Sequence, residues 1–209
     1  MRIGSYGTQA LLVELDSAAE AAALRKRLDE APLPGTVETM PGLRTVLVRF
    51  DPSVTAAASM ANRLTAVELG RARADDPAGA DDAAEPVQVR VAYDGPDLDD
   101  VAKYTGLTVD EVIAAHQAIT YRVALIGMAP GFYFLAGGDE RLQVPRRPSP
   151  RPRVPRGALG LAGAFTGVYP KAGPGGWQLI GRVLDDLWHP TRLPAALLAP
   201  GAAVRLTAA

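Results

Sequence analysis

The chain has 209 residues, 48% of them hydrophobic and 22% charged, with a formal net charge of -1. That is enough for one large or two small cores, and the charge balance argues against a general nucleic-acid or anionic-membrane binder, which needs a basic excess. With no cysteine and only 2 histidines, no disulfide framework, cysteine zinc site, thiol nucleophile or His-rich metal site is expected, and a reducing cytoplasm fits the composition. The N-terminus lacks the apolar core of a signal peptide, and no window approaches the roughly 18 consecutive apolar residues of a membrane span.

Gln9 to Leu15 reads as a strand with Leu11, Val13 and Leu15 on one face. Ser17 and Glu20 form a capping box that opens an Ala/Leu-rich helix to about Glu30. Val46, Val48 and Phe50 alternate on a second strand, and a helix over 55–71 offers Met60, Leu64 and Val67 on one stripe. The expectation is a small N-terminal α+β domain of ferredoxin-like type over 1–72. A linker over 73–86, rich in Ala, Asp, Gly and Pro, has nothing to bury.

The second domain is expected over 87–209. Val87, Val89, Val91 and Tyr93 alternate on a half-buried strand. Two short helices follow. Asp97 and Asp100 are possible caps of the first and Gly106 its left-handed exit, while Thr108 and Glu111 cap the second, which runs to about Gln117. Beyond Tyr121 the apolar runs are short (121–126, 159–162, 177–181, 203–207) and are separated by Gly/Pro turns, which favours a β-barrel or sandwich.

His116 shares the apolar stripe of Val109, Val112 and Ile113. It reads either as a satisfied core histidine or as a partly buried imidazole at a barrel mouth that transfers a proton. Arg141, Arg146, Arg147, Arg151, Arg153 and Arg156 crowd a segment that prolines keep extended, with no acidic residue between Glu140 and Asp185. Guanidinium forks suit carboxylate or phosphate, and a solvated basic loop or a surface for an acidic partner is the other reading. Without interleaved aromatics the run does not indicate nucleic acid. Gly173-Pro174-Gly175-Gly176-Trp177 allows either close backbone approach to a ligand against an indole wall or a tight hairpin turn before a core tryptophan. Phosphate-loop, dinucleotide, zincin and nucleophile-elbow motifs are absent, so no nucleotide site is recognisable on this chain.

The ordered motifs His116, Tyr121-Arg122-Val123, Gly127-x-x-Pro130-Gly131-Phe132, Pro145-Arg146, Pro150-Arg151, Gly167-Val168-Tyr169-Pro170 and Pro174-Gly175-Gly176-Trp177 resemble the B subunit of bacterial 5-oxoprolinase. That family is also labelled allophanate hydrolase subunit 1 or histidine-kinase inhibitor of the KipI type. The resemblance implies a ferredoxin-like α+β domain followed by a cyclophilin-like β-barrel. It also implies a carboxyltransferase-like hetero-oligomer with the C and A subunits that opens 5-oxoproline to glutamate, with ATP bound through the complex and no metal on this chain. Phe165 stands where the family often has Gln before Thr166, which leaves the substrate open. The expected catalytic residues are His116, Arg146 and Arg151, and the expected substrate-binding residues are Pro130, Gly131, Phe132, Tyr169, Gly175, Gly176 and Trp177. Inhibition of a sensor histidine kinase is the alternative function, and a peptidyl-prolyl isomerase is a third reading that rests on barrel shape alone.

Overall fold

Short alternating segments pair first with their chain neighbours, and capped helices fill the gaps. In the computed structural model, which describes residues 1–69 and 85–209, strand β1 (Arg2–Ser5) pairs antiparallel with β2 (Ala10–Glu14), and helix α1 (Ala18–Glu30) follows. Ser17 accepts a hydrogen bond from the Glu20 amide, and the Glu20 carboxylate accepts one from the amide of Asp16. The cap is therefore satisfied one residue earlier than in a strict box. Strands β3 (Thr36–Pro41) and β4 (Thr45–Phe50) precede helix α2 (Ala57–Thr65).

The sheet order is β1-β2-β4-β3, with β4 antiparallel to both β2 and β3. Strands β2 and β3, joined through α1, therefore run parallel with β4 inserted between them, the split β-α-β of ferredoxin-like sheets. The fourth strand, β1, comes from the N-terminus. Leu24, Leu28, Met60 and Leu64 pack with Val13, Val46 and Val48 into one buried cluster, and each large side chain contributes about 1.5–3 kcal/mol. Helix α2 ends at Thr65, six residues short of the expected 71. Val67 and Leu69 pack against the same cluster from outside the helix.

The chain divides into two compact units, Met1–Ala80 and Asp81–Ala209. Residues 73–84 of the expected linker lie outside the described residues.

In the second unit β5 (Val87–Ala92) leads to helices α3 (Leu98–Thr105) and α4 (Val109–Gln117). Gly106 leaves α3 at φ 71, and Thr108 and Glu111 form the full reciprocal box at the start of α4. The remaining strands are β6 (Thr120–Ile126), β7 (Tyr133–Ala136), β8 (Arg151–Val154), β9 (Ala158–Ala162), β10 (Phe165–Val168), β11 (Gly173–Gly175), β12 (Gln178–Val183) and β13 (Ala203–Ala208). Seven of the strands in this unit close a barrel in the order β10-β7-β6-β13-β5-β12-β9. The closure is made by the parallel pairing of β13 with β5, from Val204↔Val87 to Ala208↔Val91.

Strands β8 and β11 stay out of the barrel and, among the described residues, pair only with each other in a ribbon. One set of barrel side chains, including Tyr133, Leu135, Leu159, Leu161 and Ile180, fills a core shared with α3 and α4. The alternate set, including Phe134, Ala158, Ala162 and Leu179, packs with Val154 of β8 and with Trp177. These strands are buried on both faces, which is why β9 shows no polar alternation. The result is an α+β fold with a small sheet-and-helix unit and a closed barrel.

Candidate functional site

The barrel unit gathers chemistry-bearing side chains at four places. The first is the aromatic nest under the ribbon. Phe132 lies 4.9 Å from Tyr169 and 5.7 Å from Trp177 between ring centroids, in edge-on geometry, and Phe134 lies 5.5 Å from Trp177. All four are buried, and such pairs contribute about 0.5–1.5 kcal/mol each beyond area burial. In this chain the rings are walls to one another.

The glycines serve the same packing. A Cβ on Gly175 would stand 2.3 Å from the Tyr169 hydroxyl, and one on Gly131, already at φ 80, would stand 2.4 Å from Cγ of Trp188. The close approach read from these glycines is made by the protein's own aromatic side chains. Gly176 is half-buried over Pro150, and Pro130 is exposed at the turn before Gly131.

The second place is the arginine strap entering β8. Asp97, 1% exposed, stands at the N-cap position of α3 but makes no capping bond. Its carboxylate instead accepts from Arg147 Nη1 (2.8 Å), Arg151 Nη2 (2.6 Å) and the Leu179 amide (2.6 Å). The expected cap is overridden because two cations and a barrel amide offer stronger, charge-assisted partners. The strap is also tied through its backbone, since the Arg147 amide donates to the Gly176 carbonyl (2.7 Å) and Gln178 Nε2 to the Pro145 carbonyl (3.2 Å). Arg147 Nε, Arg151 Nη1 and Gln178 Oε1 are buried without a partner among the described residues. Two guanidinium groups against one carboxylate leave a positive surplus at this point. Arg146 is exposed, with its guanidinium carbon 6.0 Å from the Trp177 ring centroid.

The third place surrounds His116, which is fully buried and thus not at a solvent-facing mouth. Its Nδ1 lies 2.9 Å from the Tyr93 hydroxyl and its Nε2 3.0 Å from Thr166 Oγ1, and its carbonyl accepts from Tyr121 (2.9 Å). Burial pushes the imidazole down to about 3 and raises both tyrosines, so the ring is neutral at physiological pH. A neutral ring has one donor and one acceptor nitrogen, so one neighbouring hydroxyl must donate and the other accept. His116 and Thr166 line a narrow cleft with Asp139, Gln143 and Phe165.

The fourth place is an open groove of about 540 Å³ lined by Gly131, Arg156, Tyr169, Asp186, Trp188 and His189, among others. Arg156 pairs with Asp186 at 2.7 Å, and exposed His189 holds Thr191 through Nδ1 at 2.9 Å. The groove brings Gly131 and Tyr169 together, whereas Arg151 and His116 are held elsewhere in the fold. Arg156 as a groove residue, Trp188 and His189 do not follow from the sequence reading. The run Asp185-Asp186-Leu187-Trp188-His189, with charged, aromatic and imidazole groups in one short connection, is the signal that could have found them. Among the described residues no group of three or more His, Asp or Glu side chains could hold a metal ion, and no helix is long and apolar enough to cross a membrane.

Residues 1–198 match the family model described as carboxyltransferase domain, subdomain C and D. The chain is 35% identical over 208 residues to the B subunit of 5-oxoprolinase from Escherichia coli O157:H7, covering 95% of this chain and 92% of that one. The chain belongs to this carboxyltransferase-domain family. It is also 47% identical to the B subunit of 5-oxoprolinase from Bacillus subtilis (strain 168) over 122 residues, a match covering 57% of this chain and about half, 51%, of that relative. The solved structure of TTHA0988 superposes with a TM-score of 0.77 at 36% identity, over 96% of this chain and 40% of that longer chain. The family's relatives are thus named as subunits of an enzyme, 5-oxoprolinase.

Proposed function

We propose that this chain is the B subunit of an ATP-dependent 5-oxoprolinase that opens 5-oxoproline to glutamate together with the C and A subunits. The similarity to a protein named as the B subunit of 5-oxoprolinase, along 95% of the chain, carries the proposal. That the chain spans only 40% of TTHA0988 supports a domain of this kind working beside a larger neighbour, here a separate C subunit. The absence of a phosphate-binding loop fits a nucleotide handled elsewhere in the complex.

Within this reading the groove beside Gly131 and Tyr169 is where a small cyclic amide docks. Its carboxylate suits Arg156, which is displaced from Asp186 on binding, and Trp188 covers its ring. Arg146 lies outside that groove, exposed on the strap, while Arg151, tied to Asp97, holds the strap in shape. His116 stays neutral and lies outside that groove, where it holds the Tyr93 and Thr166 hydroxyls in place rather than exchanging a proton with substrate. Phe132, Trp177, Gly175 and Gly176 fix the nest on which the strap rests, and Pro130 shapes the turn into Gly131.

The test is 5-oxoproline-dependent ATP turnover in a mixture of the three subunits. Arg156→Ala is expected to raise KM for 5-oxoproline at least tenfold, because one charge-assisted pair is worth about 1.5–3 kcal/mol. An unchanged KM removes the groove from the site, and turnover that does not need this chain removes the proposal.

A further inference from the structure

The ribbon β8–β11 and its approaches carry Arg146, Arg147, Arg151, Arg153 and Lys171, and no acidic residue occurs between Glu140 and Asp185. Asp97 from the start of α3 is the one carboxylate among the described residues that reaches these cations, and it takes Arg147 and Arg151. Arg146, Arg153 and Lys171 are exposed and have no carboxylate partner among the described residues. The same unit pairs other exposed arginines with care: Arg90 with Asp185, Arg141 with Asp139, Arg156 with Asp186 and Arg182 with Asp94. The ribbon is therefore a basic surface in a chain whose net charge is -1.

Three properties indicate what covers it. The ribbon is pinned by Asp97 and by its backbone bonds to Gly176 and from Gln178, so little ordering cost remains on association. Pro152 lies within β8 and Pro174 within β11, which removes amide donors and disfavours addition of a further strand. Recognition thus falls to side chains. The unpaired cations stand on three separate segments, before β8, within it and before β11, and none lines the groove or the His116 cleft. That spread suits the distributed carboxylates of a protein face better than one small anion.

We infer that the ribbon face bearing Arg146, Arg153 and Lys171 docks an acidic surface of the larger partner, the C subunit. This rests on the functional reading above and names the surface that serves it. Salt weakens such a contact, because charges about 8–10 Å apart are screened at physiological ionic strength.

The experiment is a calorimetric titration of the full chain with the homologous C subunit at low and high salt. Arg146→Glu, Arg153→Glu and Lys171→Glu combined is expected to raise Kd at least tenfold and to flatten its salt dependence. Arg27→Glu, on an exposed site of α1, is the control for a single charge reversal, matched to Arg153→Glu, and is expected to leave Kd within twofold. An unchanged far-ultraviolet circular dichroism spectrum checks the fold of the triple variant, since Arg146 stands over Trp177, and Arg153→Glu alone, at a side chain with no carboxylate partner among the described residues, is expected to raise Kd about threefold. If the unmodified chain and the C subunit do not associate at all, the functional reading fails. If they associate and the reversal has no effect, the present inference alone is overturned. It is overturned equally if the reversal abolishes binding of inorganic phosphate while association of the two chains is unchanged.

Discussion

Replacing Asp97 with Ala tests the role given to the strap anchor. The change removes a buried carboxylate that accepts three short hydrogen bonds, from Arg147, Arg151 and the Leu179 amide. Removing one partner of a buried ion pair costs about 3–5 kcal/mol. Here the Arg147 and Arg151 side chains keep 31% and 23% of their surface in solvent, so water recovers part of their hydration, and the expected loss is about 3 kcal/mol. Asp97→Asn keeps an acceptor and the shape but loses the charge, and is expected to cost about half as much. Both tryptophans, Trp177 and Trp188, lie in the barrel unit, so urea denaturation followed by their emission reports on that unit. The corresponding fall in Tm is about 10 °C for a unit of this size. The released strap is also expected to become sensitive to trypsin after Arg146 and Arg153, since the bonds after Arg147 and Arg151 precede prolines and resist it. A variant within about 0.5 kcal/mol of the parent, with an unchanged digest, refutes the reasoning.

Three further outcomes follow from the same geometry. His116 has its folded value pushed to about 3, below the ordinary value near 6.5, so its contribution to stability is complete above about pH 6.5 and is lost as pH falls toward 3. Denaturation at pH 7.5 and 5.0 should show a loss of about 2 kcal/mol from this group, and His116→Gln should abolish that part of the pH dependence while lowering stability at both values. Gly131→Ala places a methyl 2.4 Å from Trp188 at φ 80; the expected cost is about 2–3 kcal/mol with a shift in tryptophan emission, and an unchanged spectrum contradicts the packing role. Trp177→Ala empties the nest and is expected to cost about 3–5 kcal/mol in calorimetry, together with faster tryptic cutting of the strap.

Elements with a local pattern are legible in the sequence. The alternation of Val87, Val89 and Val91, the box of Thr108 and Glu111 and the Gly106 exit all operate within a few residues; the strand, the box and the exit are present in the fold, with Val89 and Val91 buried and Val87 exposed at the strand's start. Strands β1 and β3 carry no such signal. Arg2–Ser5 is mostly exposed, and Thr36–Pro41 is an edge strand ending in proline, so neither shows a buried face. The ribbon is concealed for a related reason: Pro152 and Pro174 are poor strand formers in a sheet interior but are tolerated in an isolated pair.

In the candidate site, the arginine run and the Gly-Gly-Trp turn stand out by composition. Their anchors do not, because the Asp97 bonds span 50, 54 and 82 residues of chain and leave no local trace. The Asp97 side chain, which reads as a helix cap, is instead engaged by cations brought to it by the barrel. His116 is readable as lying on an apolar stripe, yet its complete burial depends on Tyr93 and Thr166, which arrive from segments on either side in sequence. The groove at Trp188 and His189 depends on the irregular connection before β13, where no periodicity guides a reading.

The most direct measurement of the central claim is the glutamate released from 5-oxoproline, with ATP present, by the purified A and C subunits on their own and after this chain is added. Negligible release is expected without the chain, and on its addition release that saturates at a fixed molar ratio of this chain to the C subunit. Equal release with and without the chain would contradict the claim.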